Sequence, residues 1–387
     1  MLASFIAWHL RIGFRRIYLY FDDPCDAGIA KAQQLRQDAK WRGYGNDAVR
    51  VIPCDERVKS DWPALETSRN WDLEKVASVH VEVRQMLNAE HGLRQAHEDG
   101  DIDWLLHIDA DELFHIEGLD AAAHFGRLSA HGCVGFKYPI HEGTPETPDA
   151  PNVFESVTLF RTHEALLEES VLGGGDPRTD PTAAERAALA RDCVRFWSDG
   201  GRQYHLGSPQ GKSATRVLPG VRPMSVHTWW PPEPSLLPKC WAGFREMRGD
   251  SVAESVRVVS PIGSPCILHY ISCSFSFWWH KYRLLGRFPN HKPGGAAVGG
   301  LIDASHFHAQ SRDLVWREAT REDGRGTEAA RRVYEATVCL LDAEEAERQT
   351  LSGVCRRIQT VRVAVLEAAS EGWSGLLAAP PPVSIAC

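Results

Sequence analysis

Two aspartates placed two apart at the end of an apolar run are the residues of this chain best suited to chemistry. In Trp104-Leu105-Leu106-His107-Ile108-Asp109-Ala110-Asp111-Glu112-Leu113-Phe114, an extended backbone puts Asp109 and Asp111 on one face while Ala110 points away. Two hard oxygen ligands with room for water suit Mn2+ or Mg2+, and a cation held there could bridge a diphosphate and stabilise it as a leaving group. The plainer alternative for Asp109, Asp111 and Glu112 is a solvated turn or a helix N-terminus, since acidic residues favour both. Placement weighs toward a ligand site. Open α/β sheets bind ligands at the carboxyl ends of buried strands, and an earlier strand of this chain also ends in two aspartates, Asp22 and Asp23.

A carboxylate pair works only if a sheet and its helices hold it. The pattern predicts an opening helix through Leu2, Phe5, Ile6 and Leu10, a strand over 16–21, a turn over 22–26 and a polar helix over 29–40. A second strand over 48–52 is closed by Pro53, and a long helix over 72–98 leads into the strand 103–108. That last strand is apolar on both faces, as an interior parallel strand covered by helices must be. Strands alternating with helices make a doubly wound, mostly parallel α/β sheet the expected fold. After a strand over 133–138 the chain turns rich in Gly, Pro, Trp and His, with one helical insert over 183–196. Such stretches shape pockets more often than cores. The residues from 312 to 370 read as helical, with apolar positions at Val333, Val338, Leu340, Leu341, Ile358, Val361, Val365 and Leu366. The expected organisation is therefore an α/β half over 1–140, a loop-rich half over 141–300, a helical cap over 301–372 and a disordered tail over 373–387, with no internal repeat.

Composition narrows the function classes. The chain has 387 residues, 43 Lys and Arg against 51 Asp and Glu, and a net charge of −8. A broad basic field for nucleic acid or an anionic membrane is absent, so any phosphate-bearing ligand must be neutralised locally. No apolar run approaches the ~20 residues of a membrane span, and the apolar content excludes a disordered chain. The ten cysteines include no Cys-x-x-Cys pair, which argues against a structural zinc and leaves the redox compartment open.

The segment from Phe5 to Gly13 running into Ile17-Tyr18-Leu19-Tyr20-Phe21-Asp22-Asp23, followed by the Asp109-Ala110-Asp111 stretch, resembles glycosyltransferases of the family 2-like and family 92 types. Further matches are Arg84-Gln85, Gly211-Lys212-Ser213-Ala214-Thr215-Arg216, Val226-His227, and Leu268-His269-Tyr270 with Phe277 and Lys281. The resemblance spans about residues 1 to 285. It implies a GT-A fold, a nucleotide-binding, Rossmann-like sheet carrying an Asp-x-Asp motif. It also implies transfer of a sugar from a nucleotide donor, UDP-linked, to a hydroxyl of a glycan or glycoconjugate acceptor with inversion. Such a reaction calls for a divalent cation, a general base and a pocket that excludes water.

On that resemblance Asp109 and Asp111 supply donor and metal contacts, Asp111 counts among the catalytic residues, and His227 completes the Mn2+ or Mg2+ site, with His269 a weaker candidate. Asp22 and Asp23 face the base or ribose, or else make a plain strand-to-helix turn. Lys212 and Arg216 are the cations available to a diphosphate, or a solvated edge strand. Arg84 and Asn88, four apart on a helix, share a face that reaches the donor or simply meets solvent. The general base is Glu142, just beyond a strand, with Glu155 as alternate; a solvent-facing loop acid is the other reading of either. One or two of Trp229, Trp230, Trp241, Trp278 and Trp279 are expected to line an acceptor groove and the rest to pack.

A metal-assisted phosphoryl hydrolase or nucleotidyltransferase, and a silent carbohydrate-binding relative, are the competing classes. The opening residues carry no basic stretch ahead of their apolar run and read as a packing helix. The resemblance places a strand before that helix, so the natural product is expected to carry upstream residues, including a membrane anchor. A Golgi or secretory lumen is the compartment it favours.

Overall fold

The computed structural model describes residues 1–386 except 42, 71–75, 119, 174, 244–256, 259–264, 287, 289–305, 322–324, 363 and 365–384. The chain divides into two compact units, one formed by 1–139, 210–267 and 364–387 and the other by 140–209 and 268–363. Residues 210–267 belong with the first unit, and the helical C-terminal region shares the second unit with 140–209.

In the first unit the opening helix is Leu2–Arg11, with Phe5, Ile6, Trp8 and Leu10 buried. Trp8 Nε1 donates to the Phe114 carbonyl at 2.7 Å, which ties this helix to the chain just beyond the aspartates. Strands Ile17–Phe21 and Val49–Pro53 pair in parallel, Ile17 opposite Val49, as the alternating pattern requires. Helix Val81–Asp99 ends at Gly100 with φ +70°, the left-handed conformation that closes helices and that glycine adopts without strain. It begins well after residue 72: Thr67–Asn70 is a 3-10 turn and His80 is extended, while 71–75 lie outside the described residues. Buried Ala89, Leu93 and Ala96 pack with Tyr18, Leu105, Val221 and Trp229.

The larger sheet of this unit orders its strands Arg257–Val258, Cys240–Ala242, Gly135–Tyr138, Lys212–Arg216, Trp104–Leu106 and Ile385–Ala386. Five of these six strands run in one direction, so this sheet is mostly parallel as expected, but it is not the chain's one sheet. Lys212–Arg216 runs antiparallel to both Trp104–Leu106 and Gly135–Tyr138, and the first two strands form a separate parallel pair. A strand inserted from far downstream is invisible to a rule that counts consecutive strand-helix-strand units. The result is a mixed α/β architecture with several sheets. All three residues of Trp104–Leu106 are buried, as its composition predicts.

In the second unit Ile140–Gly143 pairs antiparallel with Leu159–Arg161, which pairs antiparallel with Cys355–Arg357. The helical insert is Pro181–Ser198, started by an Asp180 side-chain cap with proline at its first position. The C-terminal region includes the helices Phe307–Ala319, Gly326–Thr337 and Ala343–Leu351, followed by the strand Cys355–Arg357. Trp278, Tyr282, Phe307, Val315 and Tyr334 form one core. A Cβ on Gly326 would lie 1.7 Å from the Glu318 carbonyl oxygen, so this helix start approaches its neighbour closer than any other residue allows. Val338, Leu340 and Val361 are buried as expected, but Val333 and Leu341 are exposed, and Val365 and Leu366 fall outside the described residues. So does the tail over 373–387 apart from 385–386. No described helix is long and apolar enough to cross a membrane.

Candidate functional site

The site grows from one register. Leu106 lies opposite Ala214, and the His107 amide continues the ladder to the Ser213 carbonyl at 3.4 Å. One further step brings Lys212 alongside the end of the motif strand. There Lys212 Nζ donates to Asp109 Oδ2 at 2.7 Å and approaches Glu112 Oε2 at 3.4 Å. Gln85 Nε2, from helix Val81–Asp99, donates to Asp109 Oδ1 at 2.7 Å. Glu112 Oε2 accepts from the Asp109 backbone amide at 2.8 Å, and the Glu112 amide donates to the Asp109 carbonyl at 3.0 Å. The turn Asp109–Glu112 is thus cross-braced, and Asp109 is its exposed corner: its side chain is 33% exposed against 1% for Lys212 and Glu112.

Charge follows from this packing. Burial alone would lower the Lys212 pKa, but the Asp109 and Glu112 carboxylates outweigh it and hold the ammonium protonated far above neutrality. Glu112 is pushed up by burial, and Asp109 and Asp111 add repulsion that Lys212, nearer to Asp109, offsets only in part. His227 sits in the turn of the hairpin Arg222–Ser225 and Thr228–Trp230. That hairpin is pinned to the sheet by Ser213, whose hydroxyl donates to the His227 carbonyl at 2.7 Å and whose carbonyl accepts from Trp229 Nε1 at 3.1 Å. His227 Nδ1–H donates to the Gly211 carbonyl at 2.8 Å, so the ring lone pair is on Nε2. Burial, with the Lys212 charge second, lowers His227 to about 3. His107, edge-on to Trp229, is lowered to about 4 by the same two causes. Both imidazoles are neutral at physiological pH.

The residues expected to hold Mn2+ or Mg2+ do not form a cation site as placed. Both Asp109 oxygens carry protein donors, one of them the Lys212 ammonium, and Asp111 is 6% exposed. Among the described residues no three His, Cys, Asp or Glu side chains gather to hold a metal.

Other expected residues separate clearly. Asp22 accepts from Arg84 at both oxygens, at 2.7 and 2.8 Å, joining the end of strand Ile17–Phe21 to helix Val81–Asp99, and Arg84 also donates to the Ala77 carbonyl. Asp23 accepts from the Cys25 amide at 2.8 Å and makes the plain turn. Asn88 is buried and donates to Cys54 Sγ at 3.2 Å. Arg216 lies apart from Lys212. It pairs with Trp104 at the opposite end of the motif strand, ~13 Å from Lys212 at ~3.3 Å per residue, and donates to Ser129 while lying over the Trp104 ring.

Glu142 is corrected as a general base that meets solvent. In the second unit its carboxylate is 0% exposed. Oε1 accepts from the Gly207 amide and Oε2 from the Leu206 amide, both at 2.7 Å, and Arg161 Nη2 donates to Oε2 at 3.2 Å. Burial would raise its pKa, yet His205, Arg161 and His269 together hold it well below the usual carboxylate range. His269 lies 3.9 Å from this carboxylate. Glu155, the alternate, accepts from Asn152 in the one-turn helix Val153–Ser156. Trp229, Trp278 and Trp279 are buried packing residues; Trp230 and Trp241 are half-buried.

The sequence named Gln85 only within the Arg84-Gln85 match and Glu112 only within the acidic turn, without a role at the site, although Gln85 donates to Asp109 Oδ1. Its signal was only its adjacency to Arg84 on a helix leading into the motif strand.

Comparison with known proteins bears on the family at a coarse level. No protein-family model matches the chain, and no solved structure matches it. Over 159 residues the chain is 28% identical to glycosyltransferase-like At3g57200 of Arabidopsis thaliana, covering 40% of the chain and 27% of that protein. Over 226 residues it is 26% identical to glycosyltransferase-like At2g41451 of the same plant, covering 58% and 45%. The chain spans less than half the length of these relatives. The likenesses support a glycosyltransferase family.

Proposed function

We propose that this chain transfers a sugar from a nucleotide-linked donor of the UDP class to a hydroxyl of a glycan or glycoconjugate, with inversion at the anomeric carbon. The observation that carries the reading is the Asp109–Lys212 pair at the carboxyl end of the buried strand Trp104–Leu106. An ionised, partly exposed carboxylate accepts from sugar hydroxyls, and a buried ammonium beside it offsets charge on a departing diphosphate. Gln85 and Glu112 brace Asp109, so the carboxylate corner keeps its place when charge develops. Both imidazoles there are neutral, and Lys212 is the cation seen paired with Asp109. The likeness to glycosyltransferase-like proteins supports the same class.

The test is donor consumption. The chain is incubated with UDP-glucose, UDP-galactose, UDP-N-acetylglucosamine and GDP-mannose, each with Mn2+ or with EDTA, and released nucleotide is measured. At least one UDP-sugar is expected to be consumed, and Asp109→Asn to lower that rate at least tenfold while the far-UV spectrum stays unchanged. No consumption of any donor, with no thermal stabilisation by UDP, would refute the proposal. Full activity in the Asn variant would assign Asp109 to the turn alone.

A further inference from the structure

We infer that Lys212 acts as an interlock, a resident counter-ion that keeps free divalent cations off Asp109 until an anion draws its ammonium away. Four observations meet here. Asp109 has both oxygens committed, Oδ2 to Lys212 and Oδ1 to Gln85, each at 2.7 Å. Lys212 is 1% exposed, so losing Asp109 would leave a buried ammonium whose nearest other carboxyl oxygen among the described residues is Glu112 Oε2 at 3.4 Å. Breaking a buried pair from one side is far costlier than breaking a surface pair. Asp111 is buried beside it at 6%, and Asp109 and Asp111 carry the hard carboxylate oxygens that suit a divalent cation.

A divalent ion arriving alone can take Asp109 only by stranding Lys212. An anion changes that balance, because its oxygens give the ammonium a new partner and release Asp109. The donor's diphosphate is that anion if the transfer reading holds, and this part of the inference rests on that reading. Lys212 is then a positioning residue whose removal exposes a cation site that the unaltered chain keeps closed. A lysine that merely packed the sheet would predict the reverse, namely that removing it costs stability and gives no new affinity.

The experiment titrates Mn2+ alone into the full chain, reading free Mn2+ by electron paramagnetic resonance. Lys212→Met is expected to bind Mn2+ at least tenfold more tightly than the unaltered chain, and Lys212→Met with Asp109→Asn to lose that gain. Circular dichroism shows that each variant is folded; Lys212→Gln replaces Met if burial of the apolar chain prevents folding. Equal Mn2+ affinity in the unaltered chain and the folded Lys212 variants would overturn the inference. So would tight Mn2+ binding by the unaltered chain that Asp109→Asn abolishes. UDP is added in a parallel thermal-shift series. Failure of UDP to stabilise the unaltered chain, with or without Mn2+, removes the transfer reading, while the Mn2+ comparison among variants still decides whether Lys212 guards Asp109.

Discussion

Replacing Glu142 by Gln separates a structural carboxylate from a catalytic one. The side chains of Glu142 and Arg161 are both 0% exposed, and the carboxylate accepts three donors: Arg161 Nη2 at 3.2 Å and the amides of Leu206 and Gly207 at 2.7 Å each. A glutamine of the same shape keeps one oxygen, so one backbone N–H must face an NH2 group. Arg161 loses its counter-charge; its remaining support is the Trp197 ring, 4.4 Å from Cζ. Stranding one member of a buried ion pair costs ~3–5 kcal/mol, and the mismatched amide adds ~1–3 kcal/mol. Either is a large share of the ~5–15 kcal/mol that holds a domain folded. A Cβ on Gly207 would lie 3.0 Å from Glu142 Oε1, so the backbone approaches the carboxylate closely because this residue is glycine.

Urea unfolding followed by tryptophan fluorescence is the assay. Glu142→Gln is expected to lower stability by at least ~3 kcal/mol, and Glu142→Leu with Arg161→Met to recover part of that loss because the pair leaves together. The pH dependence has a set sign. The Glu142 pKa is depressed on folding, so its contribution is present above the unfolded carboxylate pKa of ~4.3 and is lost as the pH falls below it. A change under ~1 kcal/mol in Glu142→Gln combined with complete loss of sugar transfer would refute this account and return Glu142 to the role of base.

Arg216→Gln is expected to leave UDP binding within twofold of the unaltered chain by titration calorimetry, since Arg216 sits a strand's length from Lys212; a tenfold loss would place it back at the phosphates. His9 and His124 are buried and lowered to about 3. The unfolded chain therefore takes up their protons first as the pH drops below ~6.5, and each histidine removes ~1 kcal/mol in the first pH unit and more below it. Urea midpoints at pH 7.5 and 5.5 check this, and equal stability at both would contradict neutral burial. Arg84→Ala is expected to lower stability by ~1 kcal/mol or less because Asp22, its partner, is half exposed; a UDP affinity loss beyond tenfold would show that the pair also serves the donor.

How much the sequence revealed depended on whether a feature was local. The motif strand was legible because Trp104, Leu105 and Leu106 are apolar in succession, and the i, i+2 spacing of Asp109 and Asp111 needs no partner to be noticed. What holds Asp109 was not legible, because Lys212 stands 103 residues away and reaches it only through an antiparallel register that no alternation of strands and helices predicts. The same strand direction that brings Lys212 to Asp109 carries Arg216 away from it. Two cations four residues apart in one basic segment therefore ended at opposite ends of one strand.

Glu142 shows the converse failure. Ile140-His141-Glu142-Gly143 has the polarity of a loop, and a carboxylate following a strand suggests a group projecting toward substrate. The segment is instead a strand buried at all four positions, with Glu142 directly opposite Arg161 on the next strand. Burying that charge is tolerable only because a guanidinium and two backbone amides arrive from other parts of the unit to receive it. Polarity reports what a residue would prefer when alone, and here neither Asp109 nor Glu142 is alone. The one whose partners leave it at a partly exposed corner remains available for chemistry; the one whose partners close over it is committed to the fold.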